Sequence, residues 1–396
     1  MLPLDGVKVL DLSHAAAGPC CTMLLADMGA DVVKIEPFTG EAFRYAGGGI
    51  MFVNLNRNKR GIVLDLRAEE GRQIALKLAA KADVLMESFT PGTVDRLGLG
   101  YDAISQINPS IIYCSISGFG QNGPYRERPG YDPLAQAMSG MMLATGEPDR
   151  PPVRTAASTI DYGAGMFGAY AIAMALLHRE KSGKGQKIDV SLLDTAVFYM
   201  SHFITSYALT GQNPTRLGSG NLGFVPYQVF EAKDRFIFIG VSTERAWKGF
   251  CQALGLDDLV DDPRYATNNE RLQNREELVK KLRQILKQHN SQELMTKLMA
   301  ADVTCGPLLN VGEMLDDPQV VDRGMILDSH YPELGNIKIG RTPITFSETM
   351  PQVRRRPPLL GEHTIEILKE LGYSDTEIGQ LAENRIILQH VPQKAK

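Results

Sequence analysis

The sequence predicts an α/β fold in which helices cover both faces of a mostly parallel sheet, followed by a second, smaller α/β domain. Segments typical of buried strands alternate with helical segments over residues 6–117, and such alternation is typical of parallel sheets. The pattern changes after the glycine-rich stretch RLGSGNLGF at 216–224. A chain of 396 residues is long enough for two or three domains.

The first part of the chain alternates regularly. Its strands are predicted in VKVLDL, ADVVKIE, GIVLDL, DVLMES and IIYCSIS, and its helices in CCTMLLADMG, EEGRQIALKLAAKA, TVDRLGL and YDAISQI. The glycines and prolines between Gly118 and Arg154 predict a long loop. A helix from Gly163 to Arg179, a strand QKIDVSL and a helix from Leu193 to about Leu209 are predicted next.

The second part begins with strands YQVFE and FIFIGV and continues with charged helices, such as one over 276–289, to about Gly324. The last part contains TPITFS and PPLLGEHTIEILKELGY. We expect this last part to pack back onto the first domain.

Composition narrows the function classes. The chain has 42 Lys and Arg against 46 Asp and Glu, a net charge of −4, with 43% hydrophobic and 22% charged residues. These values are typical of a globular protein. Because a nearly balanced charge gives no long-range attraction to polyanions, neither nucleic acid nor a membrane is predicted as a partner.

The cysteines and the apolar stretches indicate in which cellular compartment the protein is expected. The five cysteines form no C-x-x-C motif and no Cys/His cluster, which predicts a reducing compartment and no metal site. The segment MLPLDGVKVLDL begins a strand rather than a signal peptide. The apolar stretch from Ala164 to Leu177 is shorter than the roughly 20 residues that span a bilayer. We therefore expect a soluble cytoplasmic protein.

Gly118, Gly120 and Gly123 match the G-x-G-x-x-G pattern that follows a strand in dinucleotide sites. That pattern requires the turn to open a helix, and Pro124 and Pro129 oppose a regular helix here. Two interpretations remain, a flexible surface loop and a mobile loop over an active site.

The loop Ser13–Pro19 follows the first strand, and open α/β sheets bind ligands at the carboxyl ends of their strands. Its small residues let a ligand approach the backbone, and amides at the start of the next helix can hold an anion. His14 in this loop is either a structural hydrogen-bonding residue or a site residue.

Asp161 lies just before the long apolar helix. An aspartate there is a good helix cap. Alternatively, with Gly163 and Gly165 exposing backbone amides, Asp161 is a carboxylate in a dry pocket that attacks an activated carbonyl. Because a carboxylate is normally ionised at neutral pH, such an attack needs no general base.

The basic residues of the first domain are spread along the chain, and most of them are expected on the solvated surface, with a few binding phosphates. They are Arg44, Arg57, Lys59, Arg60, Arg67, Arg96, Arg126 and Arg128. The sequence has no G-x-S-x-G motif and no Walker motif, so serine hydrolase and P-loop chemistry lack support.

Taken together, these segments resemble the class III CoA-transferases, which include formyl-CoA:oxalate CoA-transferase and the carnitine-pathway CoA-transferase. The resemblance covers essentially the whole chain. It rests on LDGVKVLDLSHAAAGPCCTMLLADMGADVVKIE, NRNKRGIVLDL, ESFTPGTVDRLGLGYD, SGFGQNGPYRERPGYDPLAQAMSG, HREKSGKGQKIDVSLLD, VPYQVF, DDPRYATNNERLQNR and PPLLGEHT, in family order.

The resemblance implies an acyl-CoA:carboxylate CoA-transferase with Asp161 as its nucleophile, working through aspartyl anhydride and aspartyl-CoA thioester intermediates. It implies coenzyme A as a co-substrate and no permanently bound cofactor. The implied CoA and substrate contacts are His14, Ala15, Leu64, Arg67, Ser88, Phe89, Arg96, Tyr131 and Asp132. The implied mobile glycine segments are Gly118, Gly120, Gly123, Gly218 and Gly220.

The sequence departs from the formyl-CoA enzyme at polar positions near the acyl group. Ala16, Pro37, Ser88 and Pro129 stand where that enzyme carries Gln, Arg, Asn and Lys, which favours a larger or less polar acid than oxalate.

Two other functions stay open. One is an α-methylacyl-CoA racemase of the same superfamily, although Tyr131 replaces the histidine that such enzymes use as a proton shuttle. The other is an inactive partner subunit of a heteromeric transferase, although Asp161 is retained.

The resemblance also implies an intertwined homodimer and a discontinuous large domain. The large, Rossmann-like domain is expected over 1–205 together with 330–396, a glycine-rich linker over 206–225, and the small α/β domain over 226–329. Acyl-CoA and carboxylic acids are the expected small-molecule partners.

Overall fold

The structure is a computed structural model and describes residues 1–390. Up to residue 211 its helices and strands are β1 (Lys8–Asp11), α1 (Ala17–Asp27), β2 (Asp31–Glu36), α2 (Ile50–Leu55), β3 (Lys59–Leu64), α3 (Glu69–Lys81), β4 (Val84–Glu87), α4 (Thr93–Arg96), α5 (Tyr101–Ile107), β5 (Ile112–Ser117), α6 (Asp132–Met138), α7 (Met141–Ala144), α8 (Thr159–Ser182), β6 (Gln186–Ser191), α9 (Leu192–Tyr199) and α10 (Ser201–Thr210). Two short 3₁₀ helices, Ala42–Arg44 and Ala46–Gly49, precede α2.

The remaining elements are β7 (Tyr227–Glu231), β8 (Phe236–Gly240), α11 (Glu244–Ala253), α12 (Asp257–Asp261), α13 (Asn268–Gln273), α14 (Arg275–Leu286), α15 (Ser291–Ala300), β9 (Thr304–Pro307), α16 (Val311–Leu315), α17 (Pro318–Asp322), β10 (Ile326–Tyr331), β11 (Gly335–Gly340), α18 (Thr364–Glu370), α19 (Asp375–Glu383) and β12 (Ile387–Leu388).

The main sheet has seven strands in the order β12-β3-β2-β1-β4-β5-β6. All neighbouring pairs are parallel except β12 with β3, and Leu10 of β1 lies opposite Val33 of β2 and Leu85 of β4. The chain winds outward from β1 to β3 and then from β4 to β6, so the direction of winding reverses between β1 and β4. Ligands of open α/β sheets bind beyond the carboxyl ends of the strands at this reversal.

Helices cover both faces of the sheet, as the sequence predicts. One face packs against α3, α5, α18 and α19 through residues such as Ile74, Ile104 and Ile367. The other face packs against α1, α8 and α9 through residues such as Leu25, Ile172 and Ala196. The expected return of the last part of the chain is confirmed, since β12 pairs with β3 and α18 packs beside it. This arrangement confirms the α/β fold with a parallel-dominated sheet.

The chain forms two compact units. The first comprises Met1–Met141, Arg154–Gly211 and the chain from Val321 onward, and the second comprises Met142–Val153 and Gln212–Val320. Residues 142–153, which the sequence analysis places in the large domain, thus belong to the second unit. The Gly218 amide donates to the Gly146 carbonyl at 2.9 Å, which ties this segment to the second unit.

The second unit contains an antiparallel sheet in the order β7-β8-β9. Its core includes Trp247, Phe250 and Leu282, which are less than 2% exposed. The Arg271 guanidinium is buried against the Trp247 ring and pairs with Glu244 at 2.8 Å.

The predicted loop between Gly118 and Arg154 is wrong in its second half, which contains α6 and α7. The glycines and prolines that predicted the loop flank α6 and α7 instead of lying within them, and Pro133 occupies the first turn of α6, where a missing amide costs nothing. The single helix predicted from Leu193 to Leu209 is also wrong, since it breaks at Met200 into α9 and α10.

Helix α8 is longer than the predicted apolar stretch, because polar residues at both ends continue the helix to 24 residues. Its length and composition match those of a membrane-spanning helix, so the length argument from the sequence is wrong. Core helices of soluble proteins pass the same test, and 44% of its apolar window is buried inside the protein.

Candidate active site

A cavity lies at the carboxyl ends of β1, β4 and β5, beside the reversal point of the sheet. We call it the aspartate cavity. Its lining residues include His14, Ala15, Ala16, Ala17, Ser88, Phe89, Thr90, Gly118, Arg128, Tyr131 and Asp161. The structure thus brings together six of the predicted contacts and catalytic residues, which come from four separate stretches of the chain.

Asp161 is the third residue of α8, and the expectation that it caps the helix is wrong. The buried carboxylate of Asp132 takes that role instead, because its Oδ2 accepts hydrogen bonds from the Ile160 amide at 2.7 Å and the Asp161 amide at 3.2 Å. Gln136 holds Asp132 in place through Oδ1. Asp132 therefore lies at the amino end of α8 and does not line the cavity, whereas its neighbour Tyr131 does.

The Asp161 carboxylate is partly buried, and no hydrogen bond to it occurs within residues 1–390. Burial, and secondarily the charge of Asp132, raises the pKa of Asp161 to about 7. The expectation of a fully ionised carboxylate at neutral pH is therefore corrected, since both protonation states are populated near neutrality.

The glycines of α8 serve packing rather than the exposure of amides that the sequence suggested. A Cβ on Gly163 would lie 2.1 Å from Oη of Tyr199, and one on Gly165 would lie 2.7 Å from the carbonyl oxygen of Ala17. These glycines let α8 approach α9 and α1 closely, and that approach fixes the position of Asp161 against the start of α1.

The loop after β1 is held in a tight conformation. Ala15 has a left-handed φ of 64°, an uncommon conformation for a residue with a side chain. Its amide donates to Oε2 of Glu41 at 3.1 Å, and Ser88 Oγ both accepts from the His14 amide and donates to the His14 carbonyl. A Cβ on Gly18 would lie 2.3 Å from that of Ser13, so the turn requires glycine there.

A network of buried charges lies beneath this loop. Asp11 accepts hydrogen bonds from Lys59 Nζ at 3.0 Å, Thr22 Oγ1 at 2.7 Å and the Ser13 amide at 2.8 Å. Lys34 Nζ donates to the Ser13 carbonyl at 2.6 Å. Burial alone would raise the pKa of Asp11, but Lys59 and Lys34 outweigh it and lower that pKa to about 2. The network holds the polypeptide that leads into the cavity.

His14 lies where the cavity meets an adjoining groove. Its ring centroid is 5.1 Å from that of Phe89. Burial, and secondarily the charge of Lys34, lowers the pKa of His14 below its usual value. The imidazole is therefore neutral at neutral pH, and it adds no positive charge to the cavity.

We call the adjoining depression the β3 groove. It is lined by His14, Leu12, Glu36, Phe38, Glu41, Leu64, Arg67, Phe89, Leu97 and Arg385, among others. Of the predicted nucleotide contacts, Leu64, Arg67 and Phe89 lie here. Arg67 pairs with Asp65 at 3.0 Å, and its side chain is 87% exposed. Arg96 lies outside both depressions and donates to Thr93 instead.

Sequence reasoning missed Arg385 and Glu41. Arg385 reaches the groove because β12 pairs with β3, Ile387 lying opposite Leu64. A strand of two residues has no periodic pattern that would have revealed it. Glu41 accepts hydrogen bonds from the amides of Ala15 and Phe43. In the sequence, only its position as an acidic residue in the loop after β2 could have indicated this role.

Residues 119–129 form a loop whose two ends meet. The neck of this loop consists of Gly118 and Gly130, since a Cβ on Gly118 would lie 2.6 Å from the Gly130 Cα. The loop contains no helix, as Pro124 and Pro129 predict. Gly120 and Gly123 have left-handed φ values of 84° and 88°, and the Gly120 amide donates to Ser117 Oγ at 3.0 Å. The loop borders the aspartate cavity, and its mobility stays a prediction.

The other predicted glycine segment lies in the second unit. Gly218 has a left-handed φ of 60°, and the Gly220 amide donates to the Leu217 carbonyl at 2.8 Å. The proposed lid role of Gly218 and Gly220 stays a prediction.

Comparison with known proteins settles the family. The model of CoA-transferase family III matches residues 4–364. The chain belongs to this family. It is an enzyme that transfers CoA, as the resemblance in the sequence implied.

Two relatives of this CoA-transferase show how broadly the likeness extends. It is 38% identical to the succinyl-CoA:glutarate CoA-transferase of Homo sapiens, over 98% of this chain and 90% of that protein. It is also 38% identical to the acetyl-CoA:oxalate CoA-transferase of Acetobacter aceti, over 93% of this chain and 96% of that protein.

Among solved structures, this CoA-transferase superimposes on a CaiB/BaiF family protein from Brucella suis with a TM-score of 0.85. That protein is 37% identical, and the match covers 93% of this chain and 99% of that one. The likeness extends over both compact units.

Proposed function

We propose that this enzyme moves CoA from an acyl-CoA to a carboxylic acid through covalent intermediates on Asp161. The observation that carries the proposal is the position of the Asp161 carboxylate. Among residues 1–390 it has no partner, and it lies in a cavity at the reversal point of the sheet. The adjoining groove is lined by residues of β3, of the loop after β4 and of the C-terminal segment.

The first half of the reaction transfers CoA from the donor acyl group to Asp161. A carboxylate oxygen of Asp161 attacks the donor thioester carbonyl, the C–S bond breaks, and CoA leaves as a thiolate. The thiolate then attacks the aspartyl carbonyl of the resulting anhydride. The donor acid leaves as its carboxylate, and an aspartyl-CoA thioester remains.

The second half runs the same steps in reverse with the acceptor. The acceptor carboxylate attacks the aspartyl-CoA thioester and displaces CoA thiolate, giving a second anhydride. The thiolate attacks the acyl carbonyl of this anhydride, so the new acyl-CoA forms and the Asp161 carboxylate is regenerated. No water and no net proton is consumed, so a site that excludes water conserves the energy of the thioester.

The start of α1 is suited to the negative charge that develops in these steps. Helix α1 begins at Ala17 without a side-chain cap, and Ala16 and Ala17 line the cavity with Asp161. Uncapped amides of a first helical turn stabilise an anion. We assign them to the oxyanion of the tetrahedral intermediates or to the CoA thiolate.

The β3 groove fits the nucleotide end of CoA. Leu64 and Phe89 offer apolar surface to the adenine, and Arg67 and Arg385 offer cations to the phosphates. Within residues 1–390, Arg385 has no acidic partner, whereas Arg67 pairs with Asp65. We therefore propose Arg385, rather than Arg96, as a phosphate contact. The phosphorylated cofactor is held by local cations in a chain of net charge −4.

We also propose that the enzyme works as a homodimer in the cytoplasm. Between its polar ends, helix α8 is apolar on all sides, and its outward face exposes Tyr162, Met166, Tyr170, Met174 and Leu177 at helical spacing. A helix that is apolar all round is normally covered. A second copy of this chain would cover that stripe, and the interlocked arrangement belongs to the same proposal.

Trapping tests the covalent mechanism. The enzyme is incubated with succinyl-CoA and then with hydroxylamine, and peptide mass mapping locates the modified residue. We expect a hydroxamate at Asp161 in the wild type and none in Asp161→Asn. Modification at another residue, or transfer by Asp161→Asn, would contradict the proposal.

Two further measurements separate the other functions. Uptake of solvent deuterium at the α-carbon of a 2-methylacyl-CoA, without an acceptor acid, would indicate racemase chemistry. Turnover by the purified single chain excludes the inactive partner subunit, which would need a second polypeptide.

A further inference from the structure

The side chains that line the aspartate cavity carry few charges. Among the lining residues within 1–390, Asp161 is the one acid and Arg128 is the one permanent cation. His14, the remaining titratable base, is neutral at neutral pH. The other polar groups that can contact a substrate are hydroxyls such as those of Ser88, Thr90 and Tyr131. The cavity therefore offers a single fixed positive charge.

Arg128 is positioned but not neutralised. Its guanidinium carbon lies 4.1 Å from the centroid of the Tyr125 ring, and that ring packs edge-on against Phe119 with centroids 5.7 Å apart. Its amide donates to the Tyr125 carbonyl at 2.9 Å. No acidic side chain within residues 1–390 pairs with Arg128, whereas its neighbour Arg126 pairs with Glu127 at 3.1 Å.

We infer that Arg128 is a specificity-determining residue that binds the second carboxylate of a dicarboxylic acid. The inference rests on the proposed function, because it uses the same cavity and the same reacting carboxyl group. One carboxylate of the acid attacks the thioester at Asp161, and the other remains charged inside the cavity.

The charge balance of the second half-reaction supports this assignment. When the acceptor binds, Asp161 is a neutral thioester and His14 is neutral, so a dianionic acceptor meets only Arg128 as a counter-charge. A planar guanidinium can bind a carboxylate through two parallel hydrogen bonds. A monocarboxylic acid of equal length would leave Arg128 exposed to water, where the unpaired cation costs little.

The comparison of glutarate with pentanoate tests the inference, because these acceptors have the same chain length and differ by one carboxylate. Succinyl-CoA is the donor at saturation. In a ping-pong reaction, kcat/KM for the acceptor then reports only the second half-reaction. We expect the wild type to prefer glutarate, and Arg128→Ala to lower kcat/KM for glutarate about 50-fold and for pentanoate less than about 3-fold.

Two variants serve as controls. Arg128→Lys keeps the charge but loses the paired hydrogen bonds, so we expect it to recover part of the preference. Arg126→Ala removes a cation from the same loop that is paired and does not line the cavity, so the glutarate-to-pentanoate ratio should not change.

The outcomes separate this inference from the proposed function. Equal losses for both acids in Arg128→Ala, or a wild type that does not prefer glutarate, would overturn the role of Arg128 while the adduct at Asp161 still forms. Failure of the wild type to form the Asp161 adduct would overturn the proposed function, and the inference with it.

Discussion

Two aspartates flank the loop that carries His14 and Ala15, and their surroundings are opposite. Asp11, at the end of β1, is fully buried and bonded to Lys59, Thr22 and Ser13. Asp161, at the start of α8, is partly buried and faces another carboxylate, that of Asp132. Burial opposes ionisation at both sites, yet the pKa of Asp11 is lowered to about 2 and that of Asp161 is raised to about 7.

The difference comes from the neighbours. Two lysines compensate the buried charge of Asp11, so that carboxylate is stable and unreactive. Within residues 1–390 Asp161 has no such partner, so its ionised form is high in energy, as the proposed attack on a carbonyl carbon requires. One aspartate stabilises the loop, and we propose that the other reacts across it. Each of the following changes tests that contrast.

Substitution of Asp161 should have the largest effect on turnover. We expect Asp161→Asn to lower transfer by about 10⁴-fold, because an amide cannot form the anhydride. The folded protein binds the Asp161 proton more tightly than the unfolded chain does, so the ionised carboxylate destabilises the fold increasingly between about pH 4 and 7. Asp161→Asn should therefore raise Tm at pH 8 but not at pH 4. A variant that is less stable at pH 8 would contradict the assignment.

Substitution of Asp11 should show the opposite pattern. Asp11→Asn leaves Lys59 and Lys34 buried without their counter-charge, and we expect a loss of about 3–5 kcal/mol in the free energy of unfolding. Denaturant titration at pH 7 measures this loss. Thr22→Val, which removes one hydrogen bond from a neutral donor to the ionised Asp11 carboxylate, provides the control, with a smaller loss of about 2 kcal/mol. An Asp11→Asn protein as stable as the wild type would show that the buried charges do not contribute to the free energy of unfolding.

Substitution of Asp132 should change the pH dependence of the reaction. Acylation requires ionised Asp161, so kcat/KM for the donor should rise with pH and level off above about pH 7. Asp132→Asn removes the neighbouring charge while its side-chain oxygen can still accept the helix amides. We expect the rising limb to move to lower pH by about one unit. An unchanged limb would mean that burial alone sets the pKa of Asp161.

Substitution of Arg385 should have the smallest effect, since we propose that its side chain contacts the nucleotide end of CoA, far from the reacting atoms. We expect Arg385→Ala to raise KM for the donor about 5-fold with kcat unchanged, because a phosphate contact binds ground state and transition state equally. Arg96→Ala is the matched control and should change KM by less than about 2-fold. A larger increase in the donor KM for Arg96→Ala than for Arg385→Ala would contradict the assignment of Arg385 as the phosphate contact.

Much of the fold follows from local sequence. Buried parallel strands read as apolar runs, and IIYCSIS and ADVVKIE gave β5 and β2 to within a few residues. Local patterns failed where tertiary contacts decide. Helix α6 begins with Pro133 in its first turn, and α8 starts before Asp161 because Asp132, 29 residues earlier, caps its amides.

The site was predicted less evenly. His14, Ser88, Phe89, Tyr131 and Asp161 do gather at one cavity, because carboxyl ends of parallel strands meet at one edge of the sheet. The place of Arg385 in the groove could not be predicted from the sequence, since it depends on the pairing of β12 with β3. The protonation of Asp161 was also beyond reach, because its pKa is set by burial and by a carboxylate that only folding brings near.

Because Gly118 and Gly130 are in contact, the segment 119–129 is a cassette, a loop that can be replaced as a unit. Its two ends lie side by side, so segments of different length and composition can join there without moving β5 or α6. The aspartate stays on the scaffold while the cassette carries Arg128 to the same cavity. With the roles proposed above for Arg128 and Asp161, acid specificity can change by replacement of this one loop, and the proposed covalent chemistry is left intact.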